Sequence, residues 1–315
     1  MLALLMSTVV PSLLPGLWVP VVLFAALAQT VRNAAQRSLT SEVGTLAATL
    51  ARFLFGLPFA AVFLLGLYHL VPGGQPAVAL SWAWAGWIAL GAFFQVAATA
   101  ALLLAMQERN FAIAVTLSKT EVLQVALFSS VFLHELPTPL ALVAMAVATA
   151  GVLLLSLPPR GQLLQWSAWT SPSALYGLAC GACFAIGTVG FRGAALALGD
   201  APPWLSGAWG VLLAQTLQSI GLGAWIAWRA PAALVRLARS WRVSLLAGSM
   251  GAAASLAWFT AYAMQDAAPV RTLGMVEVAF SWLVSRRLGE GFTRVEKIGM
   301  SVMLAGLVLI CLQGV

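Results

Sequence analysis

A lysine and a glutamate interrupt one of the most apolar stretches of the chain. Lys119 and Glu121 lie within the run from Ala112 to Phe128, and a second glutamate, Glu277, lies within a similar run nearer the C-terminus. At the centre of a membrane-spanning helix, each such group costs about 2.5–3.5 kcal/mol to insert. Groups of opposite charge at this depth could bind the charged ends of a small solute, or they could pair with each other and hold two helices together.

The composition around these residues is that of a membrane protein. Of the 315 residues, 62% are hydrophobic and 8% are charged, whereas soluble domains carry about 25% charged residues. The net charge of +7 comes from basic residues in short connections between apolar runs, a distribution that indicates membrane topology and no nucleic-acid partner. The sequence contains no cluster of metal-ligand residues and no G-x-x-x-x-G-K-[ST] phosphate loop, so we expect neither a metal nor a cofactor.

Ten apolar runs are long enough to cross a lipid bilayer, which takes about 20 residues per helix. We number them in chain order as spans 1 to 10. Their predicted bounds are 16–35, 43–68, 82–106, 111–132, 137–157, 173–197, 203–228, 242–264, 267–286 and 295–314. The predicted fold class is therefore an all-α polytopic membrane protein.

A weak internal repeat relates the two halves of the chain. Residues 105–108 (AMQE) recur as residues 263–266 (AMQD), and Thr30-Val31 recurs as Thr188-Val189, both at a shift of 158 residues. Each half then holds five spans, and an odd number reverses the direction in which the second half enters the membrane. We predict two inverted five-helix repeats, 1–157 and 173–315, joined by a loop over 158–172.

The basic residues predict an orientation. Arg37, Arg109 and Arg160 lie in the connections after spans 1, 3 and 5, and eight further basic residues lie around the connections after spans 7 and 9. The connections after even-numbered spans carry no Lys or Arg. Because basic connections face the cytoplasm, we predict non-cytoplasmic termini, in a multi-pass protein of the bacterial inner (plasma) membrane. We expect a monomer or a homodimer.

Together with the repeat, this pattern resembles the drug/metabolite transporter superfamily in its EamA-type ten-helix form. The resemblance rests on a cassette that closes each half, at Ala105–Gln107, Leu133–Pro137 and Gly151 and again at Ala263–Gln265, Leu288–Glu290 and Gly306. It implies a central cavity lined by spans 1–4 and 6–9, with spans 5 and 10 at the periphery, and alternating access without ATP hydrolysis. Such proteins are usually drawn with cytoplasmic termini, the opposite of what the charges predict here.

The repeat singles out one pair of charged residues. At the shift of 158 residues, Lys119 aligns with Glu277, which makes them symmetry mates on spans 4 and 9. Both lie roughly 12–15 Å into their spans at 1.5 Å per residue, the depth at which inverted-repeat transporters bind substrate. We predict that they bind substrate between spans 4 and 9, the alternative being a structural ion pair. Further candidates for the cavity wall, with helix packing as the alternative for each, are Arg52, Gln29, Asn33, Gln95, Trp258, Tyr262 and Trp282.

Glu121 has no charged symmetry mate. It lies about 200° around the helix from Lys119, so the two side chains cannot point in the same direction. We expect Glu121 to pair with Arg52, which lies at a similar depth in span 2.

Four further charged residues lie nearer the ends of spans. Arg192 and Arg271 lie toward the predicted outer ends of spans 6 and 9, where they would either snorkel to the interface or form an outer gate. Glu135 and Glu290 lie at the turns before spans 5 and 10, and each is expected to stabilise the N-terminus of the next helix.

The intramembrane charges predict the kind of substrate. Basic groups outnumber acidic ones, and a basic cavity favours anionic or zwitterionic solutes. The first hypothesis is therefore a secondary active transporter of a small, amino-acid-like metabolite that works by alternating access, with export as the direction. Protons are the candidate coupling ion and Glu277 the candidate proton carrier, unless Lys119 pairs with it permanently. The basic intramembrane residues behind this substrate prediction are Arg52, Lys119, Arg192 and Arg271, and the acidic ones are Glu121 and Glu277.

Three alternatives stand beside this hypothesis. An uptake or exchange carrier would use the same site in another direction. An integral membrane enzyme acting on lipid-linked substrates would cluster Asp, His or Ser groups at one membrane face, and no connection supplies such a cluster. A scaffold or sensor would be expected to carry a soluble domain, and no connection is long enough to fold alone.

Overall fold

The computed structural model of the protein describes residues 2–70, 75–106, 117–156, 171–199, 201–287 and 293–312. Over these ranges the chain forms thirteen α-helices and no strand. In chain order they are α1 (Leu2–Val43), α2 (Thr45–Leu54), α3 (Leu57–Leu70), α4 (Trp82–Met106), α5 (Glu121–Phe132), α6 (Pro139–Leu155), α7 (Pro172–Ala197), α8 (Pro203–Arg229), α9 (Pro231–Arg239), α10 (Trp241–Met264), α11 (Ala267–Gly274), α12 (Val276–Arg287) and α13 (Arg294–Leu312).

Most predicted spans are recovered as helices long enough to cross a membrane. Seven described stretches qualify by length and composition, and they correspond to spans 1, 2, 3, 6, 7, 8 and 10. Spans 4 and 5 correspond to the shorter apolar helices α5 and α6, and span 9 is divided between α11 and α12. The predicted fold class, an all-α polytopic membrane protein, is confirmed. Residues 111–116 of span 4 and most of the predicted inter-repeat loop lie outside the described residues.

The first span is longer than predicted. We placed its end at residue 35 because Gln29, Thr30 and Asn33 looked like a helix terminus, but α1 continues to Val43. It stops only at Gly44, whose φ of 83° is a left-handed conformation that glycine adopts easily. The polar residues therefore mark one face of α1 inside the bundle.

A helix that the sequence did not predict connects spans 7 and 8. α9 begins at Pro231, directly after a break at Ala230 (φ −150°, ψ 58°) that ends α8. Ala233 and Leu237 are buried on one side of α9, in a cluster with Leu39 and Val43 of α1. α9 therefore packs against the ends of α1 and α2 at one end of the bundle.

The helices pack in a pattern that the repeat relates. α4 packs along α7, α1 along α10, and α6 along α13. In the repeat, α4 (span 3) corresponds to α10 (span 8), and α1 (span 1) corresponds to α7 (span 6). The α4–α7 pair therefore corresponds to the α10–α1 pair, and the α6–α13 pair (spans 5 and 10) corresponds to itself. This is the packing that two related halves require, while the division at 1–157 and 173–315 stays a prediction.

Glycines allow the α6–α13 pair to pack at backbone distance. A Cβ atom on Gly151 would lie 2.2 Å from the Met303 nitrogen and 2.7 Å from the Gly299 oxygen. A Cβ atom on Gly306, the repeat counterpart of Gly151, would lie 2.5 Å from the Ala148 nitrogen. Small residues at such interfaces let membrane helices approach closely, and here they fix spans 5 and 10 together.

We expect Gly151→Ala to lower the thermal unfolding temperature of the purified protein, because its methyl group meets backbone atoms that can move only if the helices separate. Overpacking of this kind costs about 1–3 kcal/mol. The matched control is Gly221→Ala in α8, where a Cβ atom would meet nothing within 4 Å. Equal unfolding temperatures for the two variants would contradict the packing.

Candidate functional site

A cavity of about 870 Å³ lies inside the bundle. This volume is in the range typical of small-molecule sites, about 300–1,000 Å³. Its walls come from α1, α2, α4, the turn before α5, and helices α5, α7, α10, α11 and α12. The lining residues are Gln29, Arg32, Asn33, Gln36, Arg37, Thr40, Ser41, Thr45, Thr49, Arg52, Gln95, Thr99, Leu102, Ser118, Lys119, Glu121, Cys180, Phe184, Gly187, Thr188, Phe191, Ser255, Trp258, Phe259, Tyr262, Arg271 and Glu277.

The helices around the cavity agree with the family resemblance except in one respect. α6 and α13, which are spans 5 and 10, contribute no lining residue. The resemblance also implied a contribution from span 7, but α8 supplies none. Gln218 of α8 lies behind the wall instead, where it donates to Gln95 Oε1 at 2.7 Å and to the Ala92 carbonyl at 3.2 Å.

One polar face of α1 runs along the cavity to its mouth. Gln29, Asn33, Gln36 and Thr40 are spaced three or four residues apart, so they lie on one side of the helix. From Gln29 to Ser41 the helix advances about 18 Å at 1.5 Å per residue. The cavity therefore extends from the middle of α1 to its C-terminal end, where α1 joins α2.

Spans 4 and 9 are interrupted where their charged residues lie. Lys119 and Thr120 form a turn just before α5, whose first residue is Glu121. Met275 separates α11 from α12, and Glu277 lies in the first turn of α12. Helix breaks at mid-depth are typical of transporter binding sites, because they direct backbone groups and helix termini at the solute.

Lys119 and Glu277 line the same cavity without pairing. Within the described part of the chain, Lys119 makes no ion pair within 4.0 Å. The Glu277 carboxylate instead accepts a hydrogen bond from Gln29, whose Oε1 accepts one from Trp258 Nε1 at 3.0 Å. The alternative in which Lys119 and Glu277 form the structural pair between spans 4 and 9 is therefore wrong.

That structural pair is formed by Glu121 and Arg271, 2.5 Å apart. The expected pairing of Glu121 with Arg52 is wrong, because span 9 crosses span 4 at the two breaks and brings Arg271 closer. Arg271 does not snorkel to the interface: its side chain is 19% exposed, and its guanidinium carbon lies 5.3 Å from the Trp258 ring centroid.

Two arginines give the cavity its positive character. Arg32 is buried and donates to Asn33 Oδ1 from Nε at 3.3 Å and from Nη2 at 2.8 Å. Arg52 Nε and Nη2 are buried without a hydrogen-bond partner among the described residues, and its guanidinium carbon lies 4.4 Å from the Phe53 ring centroid. Neither arginine is paired with a carboxylate in the ranges that the structure covers. Guanidinium groups that no carboxylate neutralises are suited to binding carboxylates and phosphates.

Arg32 was not among the residues predicted from the sequence. Its position between Gln29 and Asn33 in the polar string was the available signal, but the predicted end of span 1 placed it near the membrane surface. Among the predicted aromatic residues, Trp258 and Tyr262 line the cavity with ring centroids 6.2 Å apart. The side chain of Trp282 lies outside the described residues.

Arg192 follows the lining residue Phe191 in α7 but does not itself line the cavity. It donates to Glu135 Oε1 at 2.6 Å, to the Tyr262 carbonyl at 2.6 Å and to Asp266 Oδ1 at 3.1 Å. It therefore ties α7 to the α5–α6 connection and to the end of α10. Of the two predicted alternatives, snorkelling is wrong, because Arg192 is 8% exposed.

The mouth and the Arg192 cluster lie at opposite ends of α10. Ser240, just before α10, donates to Glu42 Oε2 at the end of α1 at 2.7 Å, whereas Tyr262 lies in the last turn of α10. The lining residues thus run from Arg37 and Ser41, which are exposed beside the α1–α2 junction, to Phe191 and Phe259, whose ring centroids are 4.2 Å apart. The exposed end is the mouth. We call Arg192, Glu135 and Asp266 the gate.

Glu135 contacts two helices in the gate, α7 through Arg192 and α11 through Ala267. Its Oε2 accepts a hydrogen bond from the Ala267 nitrogen at 3.4 Å, at the N-terminus of α11. We expected it to stabilise the next helix, α6, but there the Thr138 side chain caps the N-terminus by accepting from Ala141 N. Glu290 lies outside the described residues. Burial raises the pKa of Glu135 above its ordinary value, and the attraction of Arg192 offsets only part of that rise.

A bundle of apolar helices around a charged cavity, with the ion pairs of Arg192 beyond one end of that cavity, defines a polytopic membrane protein. The EamA-like transporter family matches residues 16–157, and this match places the chain in the drug/metabolite transporter superfamily. The predicted resemblance is thereby confirmed.

One solved structure supports the fold over nearly the whole chain. It is described only as "Crystal structure of protein", and it is similar over 94% of this chain and 97% of its own, with a TM-score of 0.67 and 18% identity. At that identity the likeness concerns the fold alone. No curated protein matches the chain.

We expect Arg192→Gln and Glu135→Gln to open the gate. Arg192→Gln leaves the Glu135 carboxylate without its cation, and Glu135→Gln leaves Arg192 with Asp266 as its one carboxylate partner among the described residues. Breaking a buried pair costs several kcal/mol. The assay uses a variant in which the native cysteines are replaced and Thr188→Cys introduces a single cysteine. The measured quantity is the rate at which a membrane-impermeant maleimide, added from the gate side, labels that cysteine. Labelling should become at least about tenfold faster, a factor that corresponds to about 1.4 kcal/mol. Labelling from the mouth side should stay constant, and Glu42→Gln, a carboxylate change at the mouth end, should leave the gate-side rate unchanged.

The raised pKa of Glu135 predicts a pH dependence of the same readout. Burial is the cause of the rise, so the pKa returns toward its ordinary value when the gate opens and the carboxyl is hydrated. The closed gate therefore holds the proton more tightly than the open gate, and acidification favours the closed state. Gate-side labelling, corrected for reagent chemistry, should therefore rise as the pH rises through the raised pKa and fall as the pH falls. Glu135→Gln should abolish the dependence, and a dependence that persists in this variant would contradict the assignment.

Proposed function

We propose that the protein is a secondary active transporter that moves a small anionic or zwitterionic organic metabolite, of amino-acid-like chemistry, across the membrane by alternating access. The observation that carries this proposal is the cavity itself. It is large enough for such a solute, reaches the α1–α2 end of the bundle, and contains two Arg52 nitrogens that are buried without a hydrogen-bond partner among the described residues.

The charges of the lining support an anionic group on the substrate. Five basic side chains line the cavity against two acidic ones. The Glu121–Arg271 pair neutralises one of each, and the remaining carboxylate, Glu277, accepts from Gln29. An anion entering the cavity therefore meets an excess of positive charge, with which it can form charge-assisted hydrogen bonds.

The positions of the charges extend the predicted site beyond spans 4 and 9. In our proposal the carboxylate of the substrate binds Arg32 and Arg52, on spans 1 and 2. A substrate amine, if present, binds Glu277 on span 9. Lys119 and the stacked pair of Trp258 and Tyr262 line the same cavity, so the organic part of the solute packs against an aromatic surface.

The gate and the helix breaks support alternating access. In the opposite state, Arg192 would release Glu135 and Asp266, and the mouth beside the α1–α2 junction would close. The turns at Lys119–Thr120 and Met275 lie where spans 4 and 9 would bend during this change. The glycine-packed α6–α13 pair stays outside the cavity and supplies a fixed support.

The basic connections support export as the direction. The mouth lies at the α1–α2 junction, and Arg37 lines the cavity there from the last two turns of α1. If basic connections are cytoplasmic, the mouth faces the cytoplasm, the gate faces outward, and both termini lie outside. A cavity open to the cytoplasm and sealed by the gate is the state that takes up a substrate for export. An uptake or exchange carrier would use the same two states.

We expect small carboxylates or amino acids to raise the thermal unfolding temperature of the purified protein and to lose this effect in Arg52→Gln, Lys119→Ala and Glu277→Ala. A ligand at one hundred times its Kd stabilises by about 2.7 kcal/mol, which a thermal-shift assay resolves. Arg294→Gln, an exposed arginine at the start of α13, is the matched control and should respond like wild type. A ligand that stabilises all variants equally would contradict the site.

A further inference from the structure

Four arginines surround the unpredicted helix α9. Arg229 ends α8, Arg236 and Arg239 lie on α9, and Arg242 lies in the first turn of α10. All four are exposed. None forms an ion pair with another described residue, and no Asp or Glu occurs in the sequence between Asp200 and Asp266. We call these four arginines the α9 surface.

Tryptophans place this surface at the level of the lipid head groups. Trp225, Trp228 and Trp241 are 49%, 69% and 51% exposed, and tryptophan is enriched at the membrane–water interface. The Arg229 guanidinium lies 4.3 Å from the Trp228 ring centroid, and that of Arg242 lies 5.5 Å from the Trp241 centroid. The rings thus hold two of the cations at this depth by cation–π contact.

The amphipathic character of α9 fixes which side faces the lipid. Ala233 and Leu237 are buried against the bundle, whereas Val235, Arg236 and Arg239 are exposed. A short helix with an apolar anchor and an arginine-rich outer side lies in the interface plane and attracts anionic lipids. The nearest carboxylate that the contacts identify, Glu42, accepts from Ser240 and forms no ion pair with the arginines.

We propose that the α9 surface is a binding site for anionic phospholipid, whose phosphate is held by the arginines and whose acyl chains lie beside Trp228 and Trp241. A basic side chain near an anionic membrane surface contributes about 1 kcal/mol, or a factor of about five in affinity. The site lies outside the transport cavity, and its occupancy does not depend on which solute the protein moves. Because α9 packs against the ends of α1 and α2, the bound lipid lies next to the cavity mouth.

The test is the affinity of the full-length, detergent-solubilised protein for phosphatidylglycerol, measured by native mass spectrometry against phosphatidylcholine. We expect wild type to prefer phosphatidylglycerol and R236Q/R239Q to bind it at least about fivefold more weakly. The matched control is R294Q/K297Q, which also removes two exposed basic residues, but from α13. It should change the affinity less than twofold. R236K/R239K, which keeps the charge, should retain most of the binding.

Three outcomes would overturn the proposal. The first is that R236Q/R239Q binds phosphatidylglycerol as tightly as wild type. An unchanged unfolding temperature in phosphatidylcholine would show that this variant is folded. The second is equal weakening in R294Q/K297Q, which would indicate attraction by net charge alone. The third is displacement of the lipid by equimolar inorganic phosphate or glycerol phosphate, which would indicate a site for a soluble anion. None of these readouts depends on transport, so each can fail while the proposed function stands.

Discussion

The bundle depends on one constraint: a charged side chain inside an apolar membrane protein must meet either an opposite charge or water. The structure meets this constraint in two ways. Arg192 and Arg271 are held by carboxylates at 2.6 Å and 2.5 Å, and both join spans from opposite halves of the chain. Arg32, Arg52 and Lys119 have no such partner among the described residues and lie along the cavity. Paired charges thus hold helices together, and unpaired charges line the cavity that we propose as the binding site.

This division explains the asymmetry between the two ends of the cavity. At the gate, Arg192 uses three acceptors on two other parts of the chain, so a polar network as well as apolar packing joins the helices there. At the mouth, the residues of α1 are polar but form no comparable network in the described ranges. An ion pair can separate at modest cost when water forms the hydrogen bonds that the partner formed before. Tightly packed apolar side chains have no hydrogen bonds that water could replace in this way. The gate is therefore suited to opening, and the tightly packed α6–α13 pair is not.

Hydropathy predicted the spans, and repeat spacing singled out Lys119 and Glu277, because both properties can be read from the sequence directly. Which charged side chains pair with each other depends on the packing of helices that are distant in sequence. Glu121 was assigned the wrong partner because the rotation and crossing of two helices, not their depth, decide which cation it meets. Arg32 was missed for a related reason: a polar string can be the end of a helix or one face of a longer helix, and only the neighbouring helices distinguish the two. α9 was missed because nine residues with two arginines resemble an exposed loop when the apolar surface that they cover is unknown.

The central claim is that the arginine-lined cavity conducts a small organic anion or zwitterion. Flux in proteoliposomes tests it most directly, with the purified full-length protein and a radiolabelled ligand that stabilises it. Wild type and Arg294→Gln should move the ligand saturably down its gradient. Arg32→Gln should move it at least about tenfold more slowly, since a lost hydrogen bond to a charged group costs about 1.5–3 kcal/mol. Wild-type vesicles that move no stabilising ligand, or equal flux through Arg32→Gln, would contradict the account.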